Sequence, residues 1–422
     1  MYKIKFVAKF IGYIIYRVFP MPSIFHRCVN KWIFASHIGW NGSSNSKSLL
    51  VQLKDNELSV NAIWIAQNRE EEKLVRSAGF RCYVWNSLKG MYHCLTAGVY
   101  IFTDQISDIN RLTARTAFCV NLWHGVGIKK MFGMDANYYR HYFGFKREPA
   151  PNSFLDRMKV ILHTYKKPDT LLVTSRYQSE YLFAPTYQIS MEKIVLADYP
   201  RNELLLWPQE KIRSYVERYG VSEDLTFIDK LSNHSYRKIY IYMPTWRIGY
   251  TDSILSMAGF DLLALEKALA ETNSLFIMKP HKGDRWELGN TQHIVCFQDL
   301  HEIYTILPYT DCLITDYSSI YCDYILMNKE IILFPFDKEE YMSNSHDTLD
   351  YDTHYLGKKV YSFEDLIILI REEVDCHLSS EEQETVLRIY QECHGNGLDL
   401  IQEIQKRYHN FLRKKYRFGI SY

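Results

Sequence analysis

Short apolar, β-rich runs alternate with helical stretches along most of this 422-residue chain, and no other feature constrains its fold as tightly. Strands that are separated by a helix pair in parallel, with the helices as crossovers. In the first half, the runs 58–66, 81–86, 99–103, 117–123, 170–175 and 193–198 read as strands. In the second half, 239–243, 274–279, 293–297, 311–315 and 330–335 do the same. A polar helical stretch around 207–235 divides the two sets, and the chain is too long for one comfortable core. The expected fold class is therefore α/β, with two Rossmann-like domains facing across a cleft. The N-terminal domain is expected at 35–206 and the C-terminal domain at 207–390, with a basic helical tail at 391–422. Neither half contains a G-x-G-x-x-G or a Walker-type loop, so a nicotinamide enzyme and a P-loop ATPase find no support.

Nine cysteines occur singly, with no C-x-x-C pair. That usage suits a reducing cytoplasm and signals neither a disulfide framework nor a zinc site. The net charge of +1 conceals an asymmetry. Residues 1–54 carry eight Lys or Arg and no acidic residue, which leaves −7 for the remainder once eight is taken from +1. A basic head on an acidic body argues against a nucleic-acid partner and for an anionic membrane surface. Wound as a helix, residues 4–19 place Lys5, Lys9 and Tyr16 opposite Ile4, Val7, Ile11, Ile14, Ile15 and Val18, and Pro20 and Pro22 end the run. Residues 1–34 are read as a basic amphipathic segment lying in the membrane interface; a core helix packed on its own domain is the alternative. Lys406, Arg407, Arg413, Lys414, Lys415 and Arg417 add a second basic patch in the tail.

Four strand ends carry polar clusters, which is where open α/β sheets bind ligands. Asn121-Leu122-Trp123-His124-Gly125 follows the run Ala117–Val120. His124 can take a proton from an attacking hydroxyl, or can simply be satisfied by a backbone carbonyl. In Tyr242-Met243-Pro244-Thr245-Trp246-Arg247 the arginine can fork onto phosphate oxygens or form an ion pair. Lys279-Pro280-His281-Lys282 offers cations to a diphosphate, with His281 as a hydrogen-bond donor, or is a solvated basic turn. Thr315-Asp316-Tyr317-Ser318-Ser319 ends a strand and opens a helix running through Asp323. That places two hydroxyls and free backbone amides where phosphate can sit without metal; N-capping by Ser318 is the plain alternative. Asp350-Tyr351-Asp352 has the look of a metal-binding pattern but is too short to assign one, so no metal and no cofactor are expected.

Taken in order, these clusters resemble the CDP-glycerol glycerophosphotransferase family of teichoic acid and capsule synthesis. The resemblance runs through Asn86–Gly90, Asn121–Gly125 with Lys129-Lys130, Tyr199–Asn202, Pro244–Arg247, His281, Thr315–Ser319 with Asp323, Asp337–Tyr341 and Asp350-Tyr351. It spans roughly residues 35–400. It implies a GT-B fold, an acceptor met by the N-terminal domain and a CDP donor held by the C-terminal one. His124 would then be the general base, and His281 would stabilise the diphosphate as it breaks. Thr245, Arg247, Lys279, Thr315, Asp316, Ser318, Ser319, Asp323 and Asp337 would bind the donor. Asn121, Lys129, Arg201 and Asn202 would bind the acceptor. The implied donor is CDP-glycerol, with CDP-ribitol left open because Ile248 and Asp198 stand where the family pattern has other residues. The implied acceptor is lipid-linked or a polysaccharide, at the cytoplasmic face of a bacterial membrane. A GT-B glycosyltransferase using a nucleotide sugar is the competing enzyme reading, and a membrane-bound scaffold the non-enzymatic one.

Overall fold

The computed structural model describes residues 26–127, 166–233, 235–245, 247, 253–280, 286, 288, 291–297, 302–344, 350–393 and 397–417. The amphipathic stretch at 4–19, together with Lys129, Lys130, Trp246, Ile248, His281 and Lys282, lies outside these residues. The chain divides into two compact units. The first runs to Arg201 and resumes at Cys393, and the second is Asn202–Glu392.

The first unit is built on a seven-stranded sheet in the order β3-β2-β1-β4-β5-β6-β7. Its strands are β1 Cys28–Phe34, β2 Asn61–Ala66, β3 Cys82–Val84, β4 Ala97–Phe102, β5 Phe118–Asn121, β6 Thr170–Val173 and β7 Ile194–Leu196. Every pairing is parallel. Strand order reverses at β1 and β4, so the loops after these strands form the crevice that a doubly wound sheet offers to ligands. Strand β1 corrects the sequence reading, which assigned residues 28–34 to the membrane segment. Trp32, Ile33 and Phe34 are buried at the centre of the sheet, paired with β2 on one side and β4 on the other. The exposed first half of the strand, Cys28 to Asn30, hid it among the polar and basic residues upstream.

Two motifs of this unit have structural jobs. Ser87 caps the helix Leu88–Thr96 by accepting a hydrogen bond from Gly90 N. A Cβ at Gly90 would lie 1.9 Å from the Val84 carbonyl oxygen, so only glycine lets the helix start against the end of β3. The basic tail belongs to this unit as the helix Gly397–Arg417. Tyr408 is buried and packs on Phe118, and a Cβ at Gly98 would lie 2.2 Å from the Tyr408 hydroxyl. Arg407 spends its charge on Glu403 and the Ile194 carbonyl, whereas Arg413 and Lys414 are exposed. Among the described residues no helix is long and apolar enough to cross a membrane.

The second unit repeats the plan with six parallel strands in the order β10-β9-β8-β11-β12-β13. They are β8 Lys238–Met243, β9 Ser274–Met278, β10 Ile294–Cys296, β11 Cys312–Thr315, β12 Glu330–Leu333 and β13 Lys358–Lys359. Order reverses here at β8 and β11. Tyr240, Tyr242, Phe276, Ile314, Leu366 and Ile370 fill the core on one face. The two-residue edge strand β13 was absent from the sequence reading, because two lysines carry no strand signal.

Candidate active site

In the first unit, the ends of β4 and β5 converge on His124. The peptide turns sharply after β5, with Trp123 at φ +55°, a left-handed conformation that costs a large side chain about 1 kcal/mol or more. Five hydrogen bonds hold the turn. Asn121 Oδ1 accepts from Trp123 N at 2.8 Å, and its amide donates to the Asp104 carbonyl at 3.0 Å. The fully buried Asn45 amide donates to the carbonyls of Leu122 and Trp123 at 3.1 and 3.0 Å. Tyr199 donates its hydroxyl to the Gly125 carbonyl at 2.9 Å, tying the Tyr199–Asn202 motif to the His124 loop. Asn45 Oδ1 also accepts from Arg201 N at 3.3 Å. Asn121, expected to meet the acceptor, is therefore a buried brace for the loop that presents His124.

The imidazole stacks on Trp123 with ring centroids 4.2 Å apart, and His37 lies 5.0 Å away. Nδ1 of His124 is 3.2 Å from the Thr103 carbonyl oxygen. A carbonyl can only accept, so Nδ1 carries the proton and Nε2 presents a lone pair. The two readings offered by the sequence are thus compatible: the carbonyl contact at Nδ1 leaves Nε2 as the ring's acceptor. Burial, then the neighbouring His37 and Arg201 charges, hold its pKa below the ordinary 6.5, so the ring is neutral near pH 7. The side chain keeps 39% exposure, enough to be reached by a substrate.

The second unit gathers a different cluster at the ends of β8, β11 and β12. Arg247 does fork, but onto carboxylates. Its Nε is 2.7 Å from Asp337 Oδ2, and Nη2 is 2.8 Å from Asp316 Oδ2 and 2.9 Å from Asp337 Oδ1. Nη1 donates to the Thr245 carbonyl at 2.6 Å. Tyr341 and Tyr317 stack on each other at 3.9 Å and lie over the guanidinium. Burial alone would lower the Arg247 pKa, but Asp316 and Asp337 more than offset it and keep the group charged. This buried triad replaces the phosphate fork expected from the sequence and fixes three loops relative to one another.

Thr315 donates across the sheet to the Met243 carbonyl at 2.7 Å, another structural use of a residue read as donor-binding. Asp323 is buried, and its oxygens accept from Asn202 at 3.1 Å, from Gln391 at 2.9 Å and from the Tyr304 hydroxyl. Asp323 is therefore held by protein donors, whereas Asn202 keeps a buried Oδ1 with no hydrogen-bond partner among the described residues. Beside the triad, Ser318 and Ser319 are half-buried. Ser318 Oγ is 3.5 Å from Ile320 N, and Ser319 makes no side-chain cap bond to the helix Ile320–Tyr324. Thr245 Oγ1 is buried and finds no hydrogen-bond partner among the described residues. Lys279 follows β9 with its ammonium on the Pro280 carbonyl, and burial lowers its pKa. Asp352, from the Asp-Tyr-Asp pattern, pairs with Lys338 at 2.7 Å.

A family model described as CDP-glycerol:poly(glycerophosphate) glycerophosphotransferase matches residues 21–393. The chain belongs to this family. It is 25% identical over 370 residues to the teichoic acid poly(ribitol-phosphate) polymerase of Bacillus spizizenii, covering 86% of this chain and 53% of that protein. It is also 25% identical over 342 residues to the teichoic acid poly(glycerol phosphate) polymerase of the same organism, covering 78% and 79%. The chain thus spans about half the length of the first of these relatives. Its fold is that of the wall teichoic acid polymerase TagF, with a TM-score of 0.69, 18% identity, and 98% of this chain and 96% of that chain covered.

Within this glycerophosphotransferase family member, the structure adds residues that the sequence reading passed over. Thr103 and Asp104 close β4 beside the His124 loop, and His37 follows β1. A polar pair at the end of the run 99–103 was the available signal for the first two. His37 was out of reach without β1.

Proposed function

We propose that this chain transfers an alditol phosphate, glycerol phosphate in the first instance, from a CDP-alditol to a hydroxyl of a lipid-linked or polysaccharide acceptor. The observation that carries this is the Nε2 lone pair of His124, held outward by the Thr103 carbonyl on a braced loop at a strand end. The acceptor hydroxyl gives its proton to Nε2, and its oxygen attacks the distal phosphorus of the diphosphate. The new P–O bond forms the phosphodiester as the bond to CMP breaks, and CMP leaves with the electron pair. Positioning and charge neutralisation account for most of such a step. We assign the donor to the second unit, where Thr245, Lys279, Ser318 and Ser319 supply polar groups around the buried triad, with His281 on the breaking diphosphate. The first unit handles the acceptor, with Arg201 and Lys129 as its cations. This is the division of labour of a GT-B transferase. The basic N-terminal stretch and the exposed Arg413 and Lys414 favour a peripheral position on an anionic membrane surface, the cytoplasmic face of the bacterial membrane.

The test is product analysis with purified chain, detergent-solubilised membrane acceptor, and CDP-glycerol or CDP-ribitol in parallel. CMP and a new phosphodiester from one donor establish the reaction and name the alditol. Silence with both, and nucleoside diphosphate released from a nucleotide sugar, would replace this proposal with the glycosyltransferase.

A further inference from the structure

Asp104 sits one residue beyond the carbonyl that binds His124. Its Oδ1 is 4.0 Å from His124 Nδ1, and the two side chains keep 27% and 39% exposure. The turn that aims it is built by Asp108, whose Oδ2 accepts from the backbone N–H groups of Thr103 at 3.2 Å and Asp104 at 2.9 Å. Asn121 takes the Asp104 carbonyl. Two bonds from one neighbour and one from another therefore fix the Thr103-Asp104 peptide, so the carbonyl and the carboxylate approach the same ring nitrogen. With the ring neutral, Asp104 does little for it. Once Nε2 has taken a proton, the ring is a cation with a carboxylate beside it, and attraction appears only then. An interaction made in the charged state and absent before it lowers the barrier rather than tightening binding.

We propose that Asp104 is a positioning residue for proton transfer, holding the His124 imidazolium as it forms. This rests on the assignment of His124 as the base. Among the described residues, the charged and titratable groups facing the pair are His37, Arg201, Asp108 and the Tyr187 hydroxyl. His37 and Arg201 oppose an imidazolium, so Asp104 is the group that offsets them. Burial raises the Asp104 pKa to about 6 and that of Asp108 to about 7, Asp104 adding to the latter. An acid limb near pH 6 therefore belongs to this carboxylate pair, since Asp104 assists only when ionised.

The variant is Asp104→Asn in the full-length chain, compared with wild type and Asp104→Glu, with kcat, KM for the CDP donor and pH–rate profiles measured from pH 5 to 8. Asn should lower kcat about 10- to 100-fold with donor KM unchanged, and should remove the limb near pH 6. Glu should recover part of the rate. In parallel, ¹⁵N-histidine NMR of the unliganded chain follows the neutral His124 ring from pH 5 to 8: its nitrogen shifts should step near pH 6 as Asp104 ionises in wild type, and the step should be lost in Asp104→Asn with the Nδ1–H tautomer kept. Unchanged kcat and limb, or a wild-type His124 signal with no step near pH 6, overturns the proposal. The NMR arm needs no turnover, so it separates this coupling from the catalytic assignment, which fails on its own if His124→Ala retains the wild-type rate.

Discussion

Replacing Arg247 with methionine should unfold the second unit at a markedly lower temperature before it does anything informative to catalysis. The guanidinium side chain is 4% exposed, and Asp316 and Asp337 are 1% and 7% exposed. Methionine fills much of the same volume but leaves two carboxylates facing each other without a cation. Removing one partner of a buried ion pair costs about 3–5 kcal/mol, because the remaining charge stays desolvated. For a unit of this size each kcal/mol moves the midpoint by about 2–4 °C, which gives a drop of about 6–20 °C. Arg247→Lys keeps the charge but cannot reproduce the fork to both carboxylates and the Thr245 carbonyl, so its drop should be intermediate. Circular-dichroism melts with hydrogen exchange on peptides from β8, β11 and β12 would localise the loss. A midpoint within about 2 °C of wild type, combined with a raised KM for the CDP donor, would show that Arg247 faces ligand and would refute the triad as a structural device.

Three further outcomes follow from the geometry. Asp108 has a folded pKa raised by burial to about 7 from an ordinary 3.8, so the fold holds its proton more tightly than the unfolded chain and loses stability as pH rises between these values. Asp108→Asn keeps an acceptor oxygen for the Thr103 and Asp104 amides, and should stabilise the first unit at pH 8 by on the order of 2–4 kcal/mol, with little gain at pH 4; denaturant titrations at both pH values decide it. Gly90→Ala drives a Cβ into the Val84 carbonyl and should cost more than about 2 kcal/mol, read as a lower thermal midpoint, whereas Lys89→Ala next to it should be neutral. Arg413→Glu with Lys414→Glu should weaken co-sedimentation with anionic vesicles without changing the melt, since both side chains are exposed; unchanged binding would remove the tail from the membrane surface.

The sheets were legible because buried parallel strands announce themselves as short apolar runs, and every run picked from the sequence is a strand in the structure. Strand β1 was not, because its exposed half resembles the basic residues before it, and β13 has two lysines and no apolar signal. The strand-end rule found the loops that matter. It could not assign partners, because these come from distant parts of the chain. Arg247 meets carboxylates 69 and 90 residues away, and His124 meets a carbonyl 21 residues away. A sequence lists Asp316, Asp323 and Asp337 as equal candidates for a ligand. Packing makes the first and last the counter-ions of an arginine, and the second the centre of a buried hydrogen-bonded hub.

The most direct test of His124 as the base is CMP release by the full chain with its preferred CDP-alditol and saturating acceptor, wild type against His124→Ala at pH 7.5. Loss of the base should lower kcat by about 100-fold or more, with the thermal midpoint and donor KM held. Turnover within a few-fold of wild type in a folded His124→Ala chain would contradict it, and would leave the braced loop after β5 as a structural feature without a chemical role.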